Sequence, residues 1–106
     1  MQPQIIAIDF DGVINDNKHP LPGKKMGPPM PGAVEALQAL ATRYQIYIHT
    51  LRASHQDNPQ YIVDWCHHYE IPFTRITAQK PDAVAYIDDK ALRFTSWDDP
   101  AIKELL

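Results

Sequence analysis

Cysteine is almost absent from this chain of 106 residues: Cys66 stands alone, so no internal disulfide can staple the fold. Missing at the start is the basic stretch followed by a long apolar run that marks a secretory signal, and the cytoplasm is the expected compartment. No apolar run approaches the ~20 residues that span a bilayer, which predicts a soluble protein with no membrane partner. Charge of one sign is scarce as well. The 10 Lys+Arg against 13 Asp+Glu leave a net -3, too little basic field to hold nucleic acid or an anionic membrane by electrostatics. Any ligand must be recognised locally. Internal repeats and low-complexity tracts are absent too, and the length suits a single domain over residues 1 to 106 with one core.

What the chain does have is a set of short β-branched runs that end in polar residues. Ile5-Ile6-Ala7-Ile8 reads as a strand buried on both faces, as in parallel sheets, and it ends in Asp9-Phe10-Asp11-Gly12. Residues 15 to 31 then hold five of the ten prolines and two of the four glycines, so regular structure is not expected there. Loops longer than about 12 to 15 residues in compact domains are usually functional or disordered, and this flap-like one directly follows the acidic motif. A helix is predicted near residues 32 to 43, with Val34, Leu37, Leu40 and Ala41 on one face and Glu35 in the first turn. Ile46-Tyr47-Ile48 is a second strand, closed by His49-Thr50.

Asp57 or Asn58 can cap a further helix with Pro59 at its first position, followed by Ile62, Trp65, Cys66 and Tyr69 at i, i+3, i+4 and i+7. Residues 73 to 76 form a short third strand, and residues 83 to 87 a clearer fourth that runs into Asp88-Asp89. A C-terminal turn near residues 101 to 106 completes the chain. This alternation predicts an α/β fold: a Rossmann-like parallel sheet of about four to five strands, with right-handed crossovers and helices on both faces. One connection is tight. Residues 77 to 83 alone join the third and fourth strands, fewer than the dozen a parallel crossover usually takes, yet seven extended residues reach ~24 Å and can pass two strands ~4.8 Å apart.

In such sheets ligands bind beyond the carboxyl ends of the strands. The polar punctuation follows that rule: Asp9 and Asp11 after the first strand, Thr50 after the second, Lys80 after the third, Asp88 and Asp89 after the fourth. Carboxylates gathered at one edge repel, and a divalent cation relieves them; oxygen-only ligands favour a hard ion such as Mg²⁺. Lys80 adds a compact positive charge, Thr50 a hydroxyl and a strand-end backbone amide, and Arg52 is a further candidate for substrate contact. Phosphoryl transfer needs such a set, with an in-line nucleophile that Asp9 can supply and an acid/base that Asp11 can supply. His49, His55, His67 and His68 have no metal-ligand spacing with cysteine and read as structural or exposed, and Cys66 reads as core.

These residues resemble the haloacid-dehalogenase-like phosphohydrolases, whose four short motifs spread over nearly the whole chain in the same order. Ile5-Ile6-Ala7-Ile8-Asp9-Phe10-Asp11-Gly12 resembles the first motif, Ile46-Tyr47-Ile48-His49-Thr50 the second, Lys80-Pro81 the third and Tyr86-Ile87-Asp88-Asp89 the fourth. The resemblance implies a small capless member acting on phosphomonoesters such as a sugar phosphate or a nucleotide, through an aspartyl-phosphate intermediate. It implies Asp9 as nucleophile and metal ligand, and Asp11 as acid/base and ligand through its backbone carbonyl. Thr50 would bind the phosphoryl group, Asp88 would be a direct metal ligand, and Asp89 would act through water. The second aspartate matters, because dehalogenases of the family lack it and its metal. Without an inserted cap, such proteins take large substrates or borrow a neighbouring subunit as a lid, so a homo-oligomer is in keeping with the resemblance.

Two rival readings remain open at this level. A phosphoacceptor signalling domain of the receiver type is also a small parallel α/β unit with clustered aspartates, a threonine and a lysine, but its phosphorylated aspartate follows the third strand, where this chain offers nothing suitable. A metal-binding pseudoenzyme using the fold as an interaction module is the other; four intact motifs argue against it.

Overall fold

A computed structural model describes residues 3 to 106. In chain order the elements are β1 (Ile5–Asp9), α1 (Ala33–Ala41), β2 (Gln45–His49), a 3-10 turn (Leu51–Ala53), α2 (Gln60–His68), β3 (Arg75–Thr77), β4 (Ala85–Ile87) and α3 (Pro100–Lys103). The four strands form one all-parallel sheet in the order β3-β2-β1-β4, the Rossmann-like α/β architecture that the alternating pattern predicts. Among the described residues no helix is long and apolar enough to cross a membrane.

Isoleucine builds the sheet's packed face. Ile6 lies opposite Ile46, Ile8 opposite Ile48, and Ile48 opposite Ile76, so β-branched side chains stand side by side across three strands. They join Phe10, Leu37 of α1, and Ile62, Trp65 and Cys66 of α2 in one buried cluster. Phe10 meets Trp65 edge-on, with ring centroids 5.2 Å apart. In α1 the inward stripe is Ala33 and Leu37, with Val34 and Leu40 half-buried; Ala41, the last helical residue, stays exposed.

Two local expectations change. Neither Asp57 nor Asn58 caps α2, because β3 claims both: Arg75 donates to Asp57, the Asn58 side chain accepts from the Ile76 amide at 2.7 Å, and the Asn58 amide donates to the Ile76 carbonyl at 2.9 Å. Asn58 holds a left-handed φ of 53°, which asparagine tolerates better than most residues. Pro59 then takes the N-cap position itself, with no side-chain cap, so the helix begins at Gln60, one residue later than expected. The third strand is also displaced, to Arg75–Thr77, since the pairing with Asn58 and the register Tyr47↔Arg75 fix its start. Phe73 packs beside the core instead.

β3 and β4 lie at opposite edges, joined by residues 78–84 without a helix. Three strand spacings of ~4.8 Å require ~14 Å, well inside the ~24 Å reach of seven residues. The connection runs over the sheet face that carries Ile5, Tyr47, Arg75 and Thr77, and it is held at its start by the His49 ring, whose Nε2 lies 3.1 Å from the Ala78 carbonyl oxygen. Ala85, Tyr86 and Ile87 are all exposed although the run at residues 83 to 87 is apolar: β3 is an edge as well and buries Ile76 and Thr77, whereas β4 meets no element but β1.

Candidate functional site

Asp9 is the last residue of β1, and Ile8 pairs in register with Ile87 of β4, so Asp88 emerges directly beside it. One carboxylate oxygen each from Asp9, Asp88 and Asp89 come within 4.8 Å of one another. Asp9 is half-buried, and its carboxyl is raised above the usual 3.8, first by burial and then by the charge of Asp88, with Asp89 and Asp11 adding to it and the Phe10 amide partly offsetting it. Among the described residues no Lys, Arg or His forms an ion pair with any of the three. A glycine makes room for this crowding. Gly12 has φ +87°, and a Cβ there would stand 2.4 Å from Asp89 Oδ2. Asp88 is oriented by the Lys90 amide, which donates to its Oδ1 at 2.8 Å. Three convergent, unpaired carboxylates fit a hard cation, and the all-oxygen donor set suits Mg²⁺.

Asp11 faces another way. Its Oδ1 accepts from Asn15 Nδ2 at 2.8 Å and from Arg52 Nη2 at 3.1 Å, and its Oδ2 accepts from Arg52 Nε at 2.9 Å. Its carboxylate is therefore not part of the group of three, so of the four expected metal aspartates Asp11 could contribute only through its backbone. Arg52 was expected to meet substrate and is instead engaged with protein: besides Asp11, its Nη2 donates to the Lys25 carbonyl at 3.2 Å, and the guanidinium lies over the Phe10 ring. The hydrogen bond to Asp11 holds its pKa above the ordinary value, and the adjacent Tyr61 side chain adds to that.

Asn15 was not singled out by sequence reasoning. It is fully buried, with its amide nitrogen on Asp11 and its Oδ1 accepting from the Gly27 amide at 2.9 Å. Its only sequence signal is its place at the reversal after Asp11-Gly12, where the Ile14 and Asn15 amides both donate to the Phe10 carbonyl. Asn15 thereby ties the flap to the site. Residues 15–31 are a strap packed at its two ends, with residues 17–25 exposed between them: Asp16 donates to Pro28, Met30 to Ile14, Trp65 Nε1 to the Gly27 carbonyl at 3.0 Å, and Met26 enters the core. Gly27 leaves no room for a side chain, since a Cβ would meet the Asp16 carbonyl at 2.1 Å.

Thr50 is buried one residue past the pair Asp9↔His49. Its hydroxyl oxygen accepts from the Arg52 amide at 3.2 Å and keeps its proton to give. Its own backbone amide, expected to serve a phosphate, donates to the Thr77 carbonyl at 2.9 Å and is spent on the sheet. Lys80 is not brought to the acidic group: its ammonium sits 4.9 Å from the Tyr86 ring centroid, over the sheet face rather than its carboxyl edge. The Cys66 thiol is fully enclosed and pushed up to about 12 by burial, as a core residue would be. Compared with family models, curated proteins and solved structures, the chain matches none.

Proposed function

We propose that this chain is a Mg²⁺-dependent phosphomonoester hydrolase of the haloacid-dehalogenase-like kind, with Asp9 as nucleophile and Asp11 as general acid/base. The observation that carries the proposal is the convergence of Asp9, Asp88 and Asp89 within 4.8 Å, with no ion pair to any of them among the described residues. Asp9, Asp88 and Asp89, with the Asp11 backbone carbonyl, would hold the ion. Bound there, Mg²⁺ supplies charge neutralisation for a phosphoryl group brought up to Asp9.

In the first half-reaction an Asp9 carboxylate oxygen bonds to phosphorus as the ester P–O bond breaks, and Asp11 gives its proton to the departing oxygen. In the second, Asp11 takes a proton from water, whose oxygen attacks phosphorus and releases Asp9 and inorganic phosphate. Both Asp11 oxygens accept from Arg52, so one must be freed from that guanidinium before it can take the proton of the second step. To act as acid it must carry a proton, and the guanidinium of Arg52 must then turn from it toward the phosphoryl oxygens. Thr50 donates its hydroxyl proton to one of those oxygens. Lys80 joins only if its ammonium leaves the Tyr86 ring.

Phosphate release from an aryl phosphate such as p-nitrophenyl phosphate should require Mg²⁺ and vanish in Asp9→Asn. Hydrolysis that persists in chelator removes the metal from the mechanism, and hydrolysis that persists in Asp9→Asn removes Asp9.

A further inference from the structure

A second feature lies beside this site and has no part in the chemistry above. Between the strap and α2 is a cavity of about 410 Å³, walled by Leu21 and Met26 on one side and Tyr61, Trp65 and Tyr69 on the other. That volume is within the ~300 to 1,000 Å³ of small-molecule sites, which are mostly apolar with a few placed polar groups. Here those groups are Lys24, Asp64 and His68.

The cavity is built rather than left over under a loose loop. One bond joins the two walls, Trp65 Nε1 to the Gly27 carbonyl, and within the strap buried Asn15 holds the Gly27 amide. Two contacts link it to the reacting groups: Tyr61, which lines it, has its side chain beside Arg52, and Arg52 is paired with Asp11. Lys25, whose carbonyl accepts from the same guanidinium, places its ammonium 5.5 Å from the Tyr61 ring centroid.

We infer that this cavity binds a planar aromatic group, and, resting on the phosphatase proposal, that the group is the leaving-group side of the substrate. The chemistry favours a ring. Trp65 and Tyr69, with centroids 5.0 Å apart and planes at 59°, both border the cavity and give a third aromatic two rings to pack against. Lys24 brings a donor to the cavity, and Asp64, whose Oδ1 accepts from Gln60 Nε2 at 2.8 Å, an acceptor in its other oxygen, polar partners that a heteroaromatic ring can use and a plain alkyl chain cannot. Sugar phosphates, without a ring face of this kind, become poor substrates.

Benzyl phosphate and cyclohexylmethyl phosphate test this, since their leaving alcohols are of similar acidity and differ in the ring. The expected result is kcat/KM at least tenfold higher for benzyl phosphate, with Leu21→Asp raising its KM several-fold and leaving methyl phosphate turnover unchanged. Equal kcat/KM for the two ring esters overturns the inference. A second measurement separates it from the parent proposal: in Trp97→Phe, where Trp65 is the only tryptophan, 2-naphthol should saturably change the fluorescence, and Leu21→Asp should weaken that response. Saturation by naphthol without hydrolysis of any ester supports the aromatic site and removes the phosphatase. Hydrolysis with no Trp65 response to naphthol does the reverse.

Discussion

Gly12→Ala separates backbone strain from the acidic group. The substitution forces an L-residue to φ +87°, which costs about 1 to 2 kcal/mol, and on a domain of this size each kcal/mol lowers Tm by roughly 4 to 8 °C. It also pushes a methyl to 2.4 Å from Asp89 Oδ2, and since that atom ends a flexible side chain, the carboxylate will swing away rather than the backbone yield. Gly23→Ala is the control, because Gly23 has φ +70° with nothing within 4 Å of a new Cβ. In chelator both variants should melt lower by about 4 to 16 °C. With Mg²⁺ they should part. If losing Asp89 weakens the ion on the order of 100-fold, then Mg²⁺ at ~100 times the wild-type Kd stabilises wild type and Gly23→Ala by ~2.7 kcal/mol, and Gly12→Ala by only ~0.4 kcal/mol. Differential scanning fluorimetry across a Mg²⁺ titration reads the difference directly. Equal Mg²⁺ responses in the two alanine variants would refute the claim that Gly12 exists to admit Asp89 to a cation site.

Asp9 is raised by burial and by Asp88, so the folded state prefers it protonated: its share of stability is present below the usual 3.8 and is lost as pH rises through the higher folded value. Asp9→Asn in chelator should therefore melt no lower than wild type at pH 7, with any advantage gone below pH ~3; a variant clearly less stable at pH 7 contradicts this. Asp89→Asn in chelator should likewise melt no lower, because it relieves the same crowding. Asn15→Ala leaves the Gly27 amide without its buried acceptor and should cost about 1 to 3 kcal/mol in urea unfolding, while speeding proteolysis within residues 15–31; an unchanged midpoint and cleavage rate would mean the strap does not depend on Asn15.

Much of this was legible because the isoleucine runs at residues 5–8 and 46–48 and the polar residues after them are local signals, read two or three residues at a time. The convergence of Asp9 with Asp88 and Asp89 needed strand parallelism and the pairing of β4 beside β1, whereas Lys80, after a strand at the far edge, was not brought in. What local pattern could not carry was partner choice across distance. Asp57 and Asn58 look like helix caps until Arg75 and Ile76, 18 residues on, compete for them. Arg52 looks like a free loop cation until it meets Asp11, 41 residues earlier in the chain. Residues 83 to 87 are apolar enough for a central strand, and only the sheet order makes them an edge.

That edge strand has a bearing on how the molecule assembles. β4 pairs with β1 alone, over three register positions, and none of its residues is buried in the isoleucine core. The β3-β2-β1 unit with α1 and α2 can therefore condense first through contacts closer in sequence, and β4 closes the longest loop of the sheet last. Transient release of β4 would scatter the acidic group while the core stays intact. A cation held there would act as a clasp on that final docking step, drawing its stabilising effect from one strand rather than from the whole molecule.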